Sequence, residues 1–338
     1  MFDLRSDTVT RPSAVMLEAM MLAKTGDDVF GEDPSINELE AKTAAIFGME
    51  SALFCPSGTM TNQVAIKCHT QPGDEVICDK LSHIYQYEGG GIAFNAGCSV
   101  KLLDGYRGRI NANMVADSVN NRNDTHKAYS SLVSLENTTN RGGGACYDFN
   151  DFYEIKKVCA ENNLKFHLDG ARIFNAIVAR NENPKDYGKV FDSISVCLSK
   201  GLGTPVGSVL IGKKDFIAKA RRVRKLFGGG MRQGGYLAAA GIYALDNNIK
   251  RLTEDHLNAK RLADVLVKKD FTGEILPVET NIVIFEVKGR FTAKELAAVL
   301  KEKGILSIVI SATQVRFVTH LDISKEMIDE TIQIIDQL

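Results

Sequence analysis

No C-x-x-C pair occurs anywhere in the 338 residues. Seven cysteines are scattered at 55, 68, 78, 98, 146, 159 and 197, an odd number without the spacing of a disulfide framework or a zinc site. They read as reduced thiols packed in a core, which points to the cytoplasm. A membrane-spanning run is missing as well. The most apolar long stretch, YLAAAGIYAL (236–245), is about half the length a span requires. The opening MFDLRSDTVTRP carries charge at once and has no apolar h-region, so no secretory signal is expected. Charge of one sign is not in excess either: 41 Lys and Arg face 42 Asp and Glu, which gives no reason to expect nucleic acid or an anionic membrane as the main partner. The local basic run KARRVRKLF (219–227) reads as a solvated helix face or an oligomer contact. Internal repeats and low-complexity segments are absent too.

What is present is a chain long enough for one large core and a smaller one. From about residue 50, short apolar runs alternate with turn residues and helical periodicity. Strands are predicted at SALFC (51–55), EVICD (75–79), SVKLL (99–103), SSLVSL (130–135), LKFHLD (164–169), ISVCLS (194–199) and GSVLIG (207–212). Helices such as DFYEIKKVCAENN (151–163) fall between them. This alternation predicts an α/β fold with a mainly parallel sheet flanked by helices, in which sites form beyond the carboxyl ends of the strands. An earlier helix is signalled by Asp33 as N-cap with Pro34 behind it, ending near Gly48. A long helical stretch is expected over 232–268, followed by EILPV, NIVIFEV, a helix at 292–303, SIVIS, VRFVTH and a last helix. The organisation expected is an N-terminal arm and helix over 1–30, a large α/β domain over 31–268 and a small α+β domain over 269–338.

Three strand ends carry chemistry. Lys200 follows an apolar strand and is hemmed in by Ser199, Gly201, Gly203, Pro205 and Gly207. Burying an ammonium is costly, but glycine and proline here fix a tight backbone and clear space around the amine. A partly desolvated lysine loses proton affinity and can form a Schiff base with an aldehyde. Asp169 closes another apolar strand in HLDGARIFNA (167–176), as a helix cap or as the partner of a cationic ring nitrogen. It lies 31 residues before Lys200, about one strand–helix–strand unit, so both can open into one crevice. Arg172 follows as a fork for a carboxylate. Ser57, Gly58 and Thr59 sit between a strand and a helix, where free N–H groups and the helix dipole favour a phosphate. A Schiff-base lysine, a carboxylate for a ring nitrogen and a phosphate cradle together are the demands of pyridoxal 5'-phosphate (PLP), whose ring acts as an electron sink.

Seven segments resemble the threonine aldolases, in particular the bacterial low-specificity type: DLRSDTVTRP (3–12), GDDVFGEDP (26–34), SGT (57–59), SLENT (134–138), HLDGARIFNA (167–176), CLSKGLGTPVGS (197–208) and GGGMRQ (228–233). VRFVTH (315–320) extends the likeness into the small domain. These are PLP-dependent transferase-like enzymes of fold type I, related to the β-eliminating lyases. The resemblance implies a homodimer as catalytic unit, commonly paired into a homotetramer, and an amino-acid substrate. It implies that Lys200 carries PLP, that Asp169 pairs with the pyridine nitrogen, and that Ser57, Gly58 and Thr59 hold the phosphate. Arg232 in GGGMRQ would assist the phosphate across a subunit interface. Ser6, Arg172 and Arg316 would hold the substrate α-carboxylate, with Arg172 also close to the cofactor. His83, in SHIYQYEGGG, would stack on the ring, with Tyr87 and Glu88 nearby in the pocket. His126, in NDTHKAYSS, resembles a second histidine near the substrate hydroxyl and reads equally as a surface-loop residue. His167 reads as a strand residue packed beneath a helix. No metal site is expected.

The implied reaction is retro-aldol cleavage of L-threonine or L-allo-threonine to glycine and acetaldehyde, with Lys200, His83 and His126 as catalytic residues. The base is either His83 itself or a water held by His83 and His126. A racemase or a β-eliminating lyase on the same scaffold is the alternative, since fold alone does not separate them. A non-catalytic PLP-binding protein is disfavoured by the presence of Lys200, Asp169 and both arginines.

Overall fold

A computed structural model describes residues 1–338. The strands are β1 (Phe2–Asp3), β2 (Ser51–Cys55), β3 (Glu75–Asp79), β4 (Ser99–Leu103), β5 (Ser130–Glu136), β6 (Lys165–Gly170), β7 (Ser193–Cys197), β8 (Ser208–Gly212), β9 (Thr272–Ile275), β10 (Ile282–Val287), β11 (Ile305–Leu306), β12 (Ile308–Val309) and β13 (Gln314–Val318). A seven-stranded sheet runs in the order β2-β8-β7-β6-β5-β3-β4. Five neighbours, β4 to β7, pair in parallel, and β8 is antiparallel to both β7 and β2. β2 therefore points the same way as the parallel strands. The carboxyl ends of β2, β3, β5, β6 and β7 share one edge of the sheet, where Glu136 stands opposite Asp169 and Asp169 opposite Ser195.

The strands β2 to β8 fall where the alternation predicted them, because β-branched and aliphatic residues occupy runs of five to seven bounded by turn residues. Apart from the edge strand β4, where Ser99, Lys101 and Leu102 are exposed, both faces of these strands are buried, which suits near-continuous apolar runs such as Ile194–Leu198. Two expectations differ. The helical stretch over 232–268 is two helices, Gly235–Asn247 and Leu252–Leu266. It breaks at Asn248, whose side chain turns aside to donate to the Leu202 carbonyl (2.8 Å) in the lysine loop. The strand expected at EILPV is Thr272–Ile275, ending before Pro277, which has no N–H to give a ladder.

A second sheet, β12-β13-β10-β9, is antiparallel throughout and has its own core. Phe271, Phe285, Phe317 and Ile328 pack there with Leu262 and Leu266 of the helix Leu252–Leu266, and with Leu4 from the start of the chain. The first residues are threaded into this unit. β1 lies parallel to β11, Val318 N–H donates to the Leu4 carbonyl (2.8 Å), and Arg11 N–H donates to Asp322 (3.0 Å). The arm then crosses to the large sheet, where Thr10 Oγ1 donates to the Lys200 carbonyl (3.0 Å). No helix is long and apolar enough to cross a membrane.

Candidate active site

Lys200 follows β7 in a loop that folds back on itself. Gly203 N–H donates to the Lys200 carbonyl (2.8 Å) and Leu198 N–H to the Gly207 carbonyl (3.1 Å). The return into β8 requires glycine at 207: its φ is +113°, and a Cβ there would stand 2.6 Å from the Phe54 ring. The lysine ammonium has no carboxylate or hydrogen-bond partner within the chain. It opens into a cavity of about 300 Å³ whose walls include Gly58, Thr59, His83, Asp169 and Thr8. Sheet register explains the convergence, since each of the first four lies at or just past a carboxyl strand end.

Asp169 is buried, and its two oxygens accept from Asn62 Nδ2 (2.9 Å) and from Ala171 N–H (3.1 Å). Gly58 and Thr59 open the helix Gly58–His69, so their N–H groups have no intrahelical acceptor. Ser57 is the N-cap of that helix, accepting from Met60 N–H (3.1 Å). Beside Gly58, within 3.4 Å of where a Cβ would sit, Ser208 Oγ is buried without a partner. Ser57 itself does not line the cavity.

His83 begins the short helix His83–Gln86. Its backbone N–H donates to Glu136 Oε2 (2.9 Å) and its Nδ1 meets Glu88 Oε1 (3.0 Å). Burial opposes the imidazolium, but Glu88, Asp169 and Glu136 outweigh it and raise the ring above its ordinary value. Tyr87 tilts against the ring, centroids 5.5 Å apart. Glu136 ends β5 as Asp169 ends β6, and burial together with Asp169 pushes its carboxyl up to about 7.

Arg172 is buried and both its Nε and Nη2 donate to Asp7, each at 2.7 Å. Asn281 Nδ2 adds a third donor at 3.2 Å. Burial alone would raise Asp7; Arg172, Lys200 and Asn281 reverse that and hold it at about 2. Arg316 donates to Asn140 Oδ1 (2.7 Å) and the Arg5 carbonyl (3.1 Å), while its Nε is buried without a partner. Burial and the neighbouring Arg172 charge lower Arg316 to about 10. Two guanidinium groups thus repel each other with one carboxylate between them, and an anion placed there would relieve both. Neither arginine lines the cavity described above, and neither does Ser6, whose hydroxyl caps Thr8 N–H (3.2 Å); Thr8 reaches the cavity instead.

Two further expected residues do not line the cavity. His126 is 91% exposed and paired with Asp124 Oδ1 (2.9 Å) on the loop that leads into Ser130 at the amino end of β5. The cavity is at the carboxyl ends, roughly 20 Å away along a strand of this length. A catalytic place for His126 therefore fails within one chain: a loop on the α-to-β side of a parallel sheet emerges at the wrong edge. Arg232 is half-exposed, bonded to Asp27 Oδ2 (2.8 Å) and lying over the Phe30 ring, and it does not line the cavity either. His167 is buried on β6, as its strand context predicted.

Sequence reasoning missed Asn62, Glu136 and Asp7. Asn62 is four residues after Gly58, hence on the same helix face, a spacing that could have marked it. Glu136 sits in SLENT at a strand end, the same signal that singled out Asp169. Asp7 had no local signal, because its partners Arg172 and Asn281 are distant in sequence.

Residues 3–290 match the β-eliminating lyase family. The low specificity L-threonine aldolase of Escherichia coli K12 is 44% identical over 331 residues, covering 98% of this chain and 97% of that one. Low-specificity L-threonine aldolase 1 of Arabidopsis thaliana is 40% identical, with 99% and 95% covered. Among solved structures, the threonine aldolase of Leishmania major superposes with a TM-score of 0.86 over 100% of this chain and 99% of that one, at 19% identity, which supports the same fold. A putative L-allo-threonine aldolase of Listeria monocytogenes gives 0.82 at 22% identity, with 99% and 96% covered. The family match over most of the chain and the near-full-length likeness to these relatives agree with the strand-end lysine and carboxylate: the chain belongs to the threonine aldolases of the β-eliminating lyase family.

Proposed function

We propose that the cavity binds PLP and that the protein cleaves L-threonine and L-allo-threonine to glycine and acetaldehyde. The observation that carries this reading is the unpaired Lys200 ammonium sharing a cavity with the buried Asp169 carboxylate and the free first-turn N–H groups of Gly58 and Thr59. The residues fit the group. Lys200 would attach it, Asp169 would face its ring nitrogen, and Gly58 and Thr59 would hold its phosphate, with the orphaned Ser208 hydroxyl beside them. When bound, the cofactor supplies an electron sink for the charge left on Cα.

The chain's own groups do the rest. Arg316, together with the Nη1 that Asp7 leaves free on Arg172, takes the substrate α-carboxylate. Clamping that group sets which bond to Cα stands ready to break. His83 has its Nδ1 engaged by Glu88, so Nε2 accepts the β-hydroxyl proton as Cα–Cβ breaks and acetaldehyde leaves. A proton returned to Cα completes glycine. Arg232 and the large apolar side chains Phe30 (73% exposed) and Phe94 (89%) suit contact with a second copy, supporting a homodimer as catalytic unit and a homotetramer of two such pairs. All seven cysteines are buried and unpaired, which supports the cytoplasm as compartment.

The test is product analysis on purified protein. Acetaldehyde and glycine released in equal amounts from L-threonine and L-allo-threonine are expected. A keto acid or a D-amino acid as the main product would overturn the aldolase reading in favour of elimination or racemisation.

A further inference from the structure

Glu88 and Asp169 bring two carboxylates close together beside His83. Ligating atoms of these two and of His83 lie within 4.8 Å of one another, and both carboxylates are buried. A single amide stands between them. Asn62 Nδ2 donates to Glu88 Oε1 and to Asp169 Oδ2, each at 2.9 Å. Carboxylates only accept, so both amide hydrogens are committed and the orientation of the amide is decided.

The amide oxygen faces the other way, 3.2 Å from His167 Nε2. Because that oxygen only accepts, Nε2 must carry a proton. Burial lowers His167 to about 3, so the ring is neutral and its Nδ1 is bare, ready to accept from Ser193 Oγ at 2.8 Å. The Ser193 oxygen accepts in turn from His69 Nε2 at 2.7 Å, and burial holds His69 at about 3 as well. Every donor in the series His69, Ser193, His167, Asn62 therefore points toward the two carboxylates, and such a series strengthens its last bond by polarisation. On the far side Glu88, also held by Gln63 Nε2 (2.7 Å), accepts a hydrogen bond from His83 Nδ1.

We propose that Asn62, aimed by the His69–Ser193–His167 series, holds the Asp169 and Glu88 carboxylates in place as acceptors and thereby fixes the tautomer of His83. His167 does not line the cavity and is a positioning residue, while Asn62 lines the cavity wall and holds the two carboxylates there. The proposal rests on the aldolase reading only for what Asp169 and His83 go on to do.

The experiment is ¹⁵N-histidine NMR on the full-length holoenzyme, which reads tautomers without turnover. His167 and His69 are expected neutral throughout the neutral pH range with the proton on Nε2, and neutral His83 with the proton on Nδ1. A cationic His167, or one protonated on Nδ1, overturns the proposal. Variants supply the second arm. Asn62→Asp keeps the shape but removes both donors, and should speed cofactor loss on dilution ~10–100-fold with a comparable fall in kcat/KM, the range typical of outer-shell partners. His167→Leu should show the same losses, whereas His167→Gln, which still donates to Asn62, should stay within roughly threefold of wild type. Equal behaviour of the Leu and Gln variants overturns the proposal. The expected tautomers and cofactor retention without cleavage of L-threonine would uphold it while sinking the aldolase reading.

Discussion

Asp7→Asn perturbs one buried ion pair with almost no change of shape. In the wild type both Asp7 oxygens take guanidinium hydrogens of Arg172 at 2.7 Å, and both side chains are removed from water. The amide would present one oxygen and one NH₂, so a donor would face a donor and Arg172 would lose its counter-charge. Removing one member of a buried pair typically costs about 3–5 kcal/mol, because the other charge is left uncompensated. A second estimate comes from linkage. Asp7 is held at about 2 instead of 3.8, and a depressed carboxylate stabilises the fold above its unfolded value; the shift corresponds to about 2 kcal/mol, lost as pH falls from 4 toward 2. The first figure is larger because it includes the stranded arginine, which lies against Arg316. Urea unfolding of the holoenzyme at neutral pH should show the full loss, and the gap to wild type should narrow as pH falls toward 4 and below. Adding Arg172→Gln to Asp7→Asn should recover part of the loss. A single variant within about 1 kcal/mol of wild type, the value of an exposed pair, would refute the argument.

Lys200→Ala should abolish covalent cofactor attachment and nearly all turnover, since no other amine lines the cavity; near-normal turnover would reject the assignment. Arg316→Lys should raise KM for L-threonine at least ~10-fold with cofactor retained, because a point charge does not replace the fork, and loss of cofactor at unchanged KM would place the arginine elsewhere. The acid limb of kcat/KM should fall above the ordinary histidine value of 6.5, because His83 must shed a proton that Glu88, Asp169 and Glu136 stabilise; a limb below it would remove His83 as base. His126→Ala should leave kcat/KM within about twofold. A loss of ~10²-fold or more would mean that a second copy of the chain delivers this ring.

The sheet was legible because all its strands but the edge strand β4 are buried on both faces and announce themselves as apolar runs with turn residues at each end. Lys200, Asp169 and Gly58 were legible for a related reason: in a parallel sheet, sequence position at a strand's carboxyl end is already a spatial coordinate. His126 lay beyond that reasoning, since a loop's position relative to the strand edge decides its reach and the motif around it says nothing of the edge. Arg172 was read as free for substrate, yet two of its donors go to Asp7, and such pairings between residues 165 apart leave no periodic trace. Asn62 could have been read from helix spacing, but its role depends on two carboxylates that converge only in three dimensions.

The threading of the N-terminal arm has a consequence for the order of assembly. Leu4 donates to Leu306 and accepts from Val318, and Asp7 meets Asn281, 274 residues on, so the arm binds partners that are made long after it. Thr8, which lines the cavity, and Thr10, which bonds the Lys200 carbonyl, lie on the same arm that those strands hold. The large sheet can form while the chain is still emerging, but the arm reaches its full set of partners only when β11 and β13 are present, through contacts of long sequence separation that are entropically slow to make. A nascent chain halted before β13 would therefore carry the lysine and the carboxylate on a formed sheet and still lack a finished pocket.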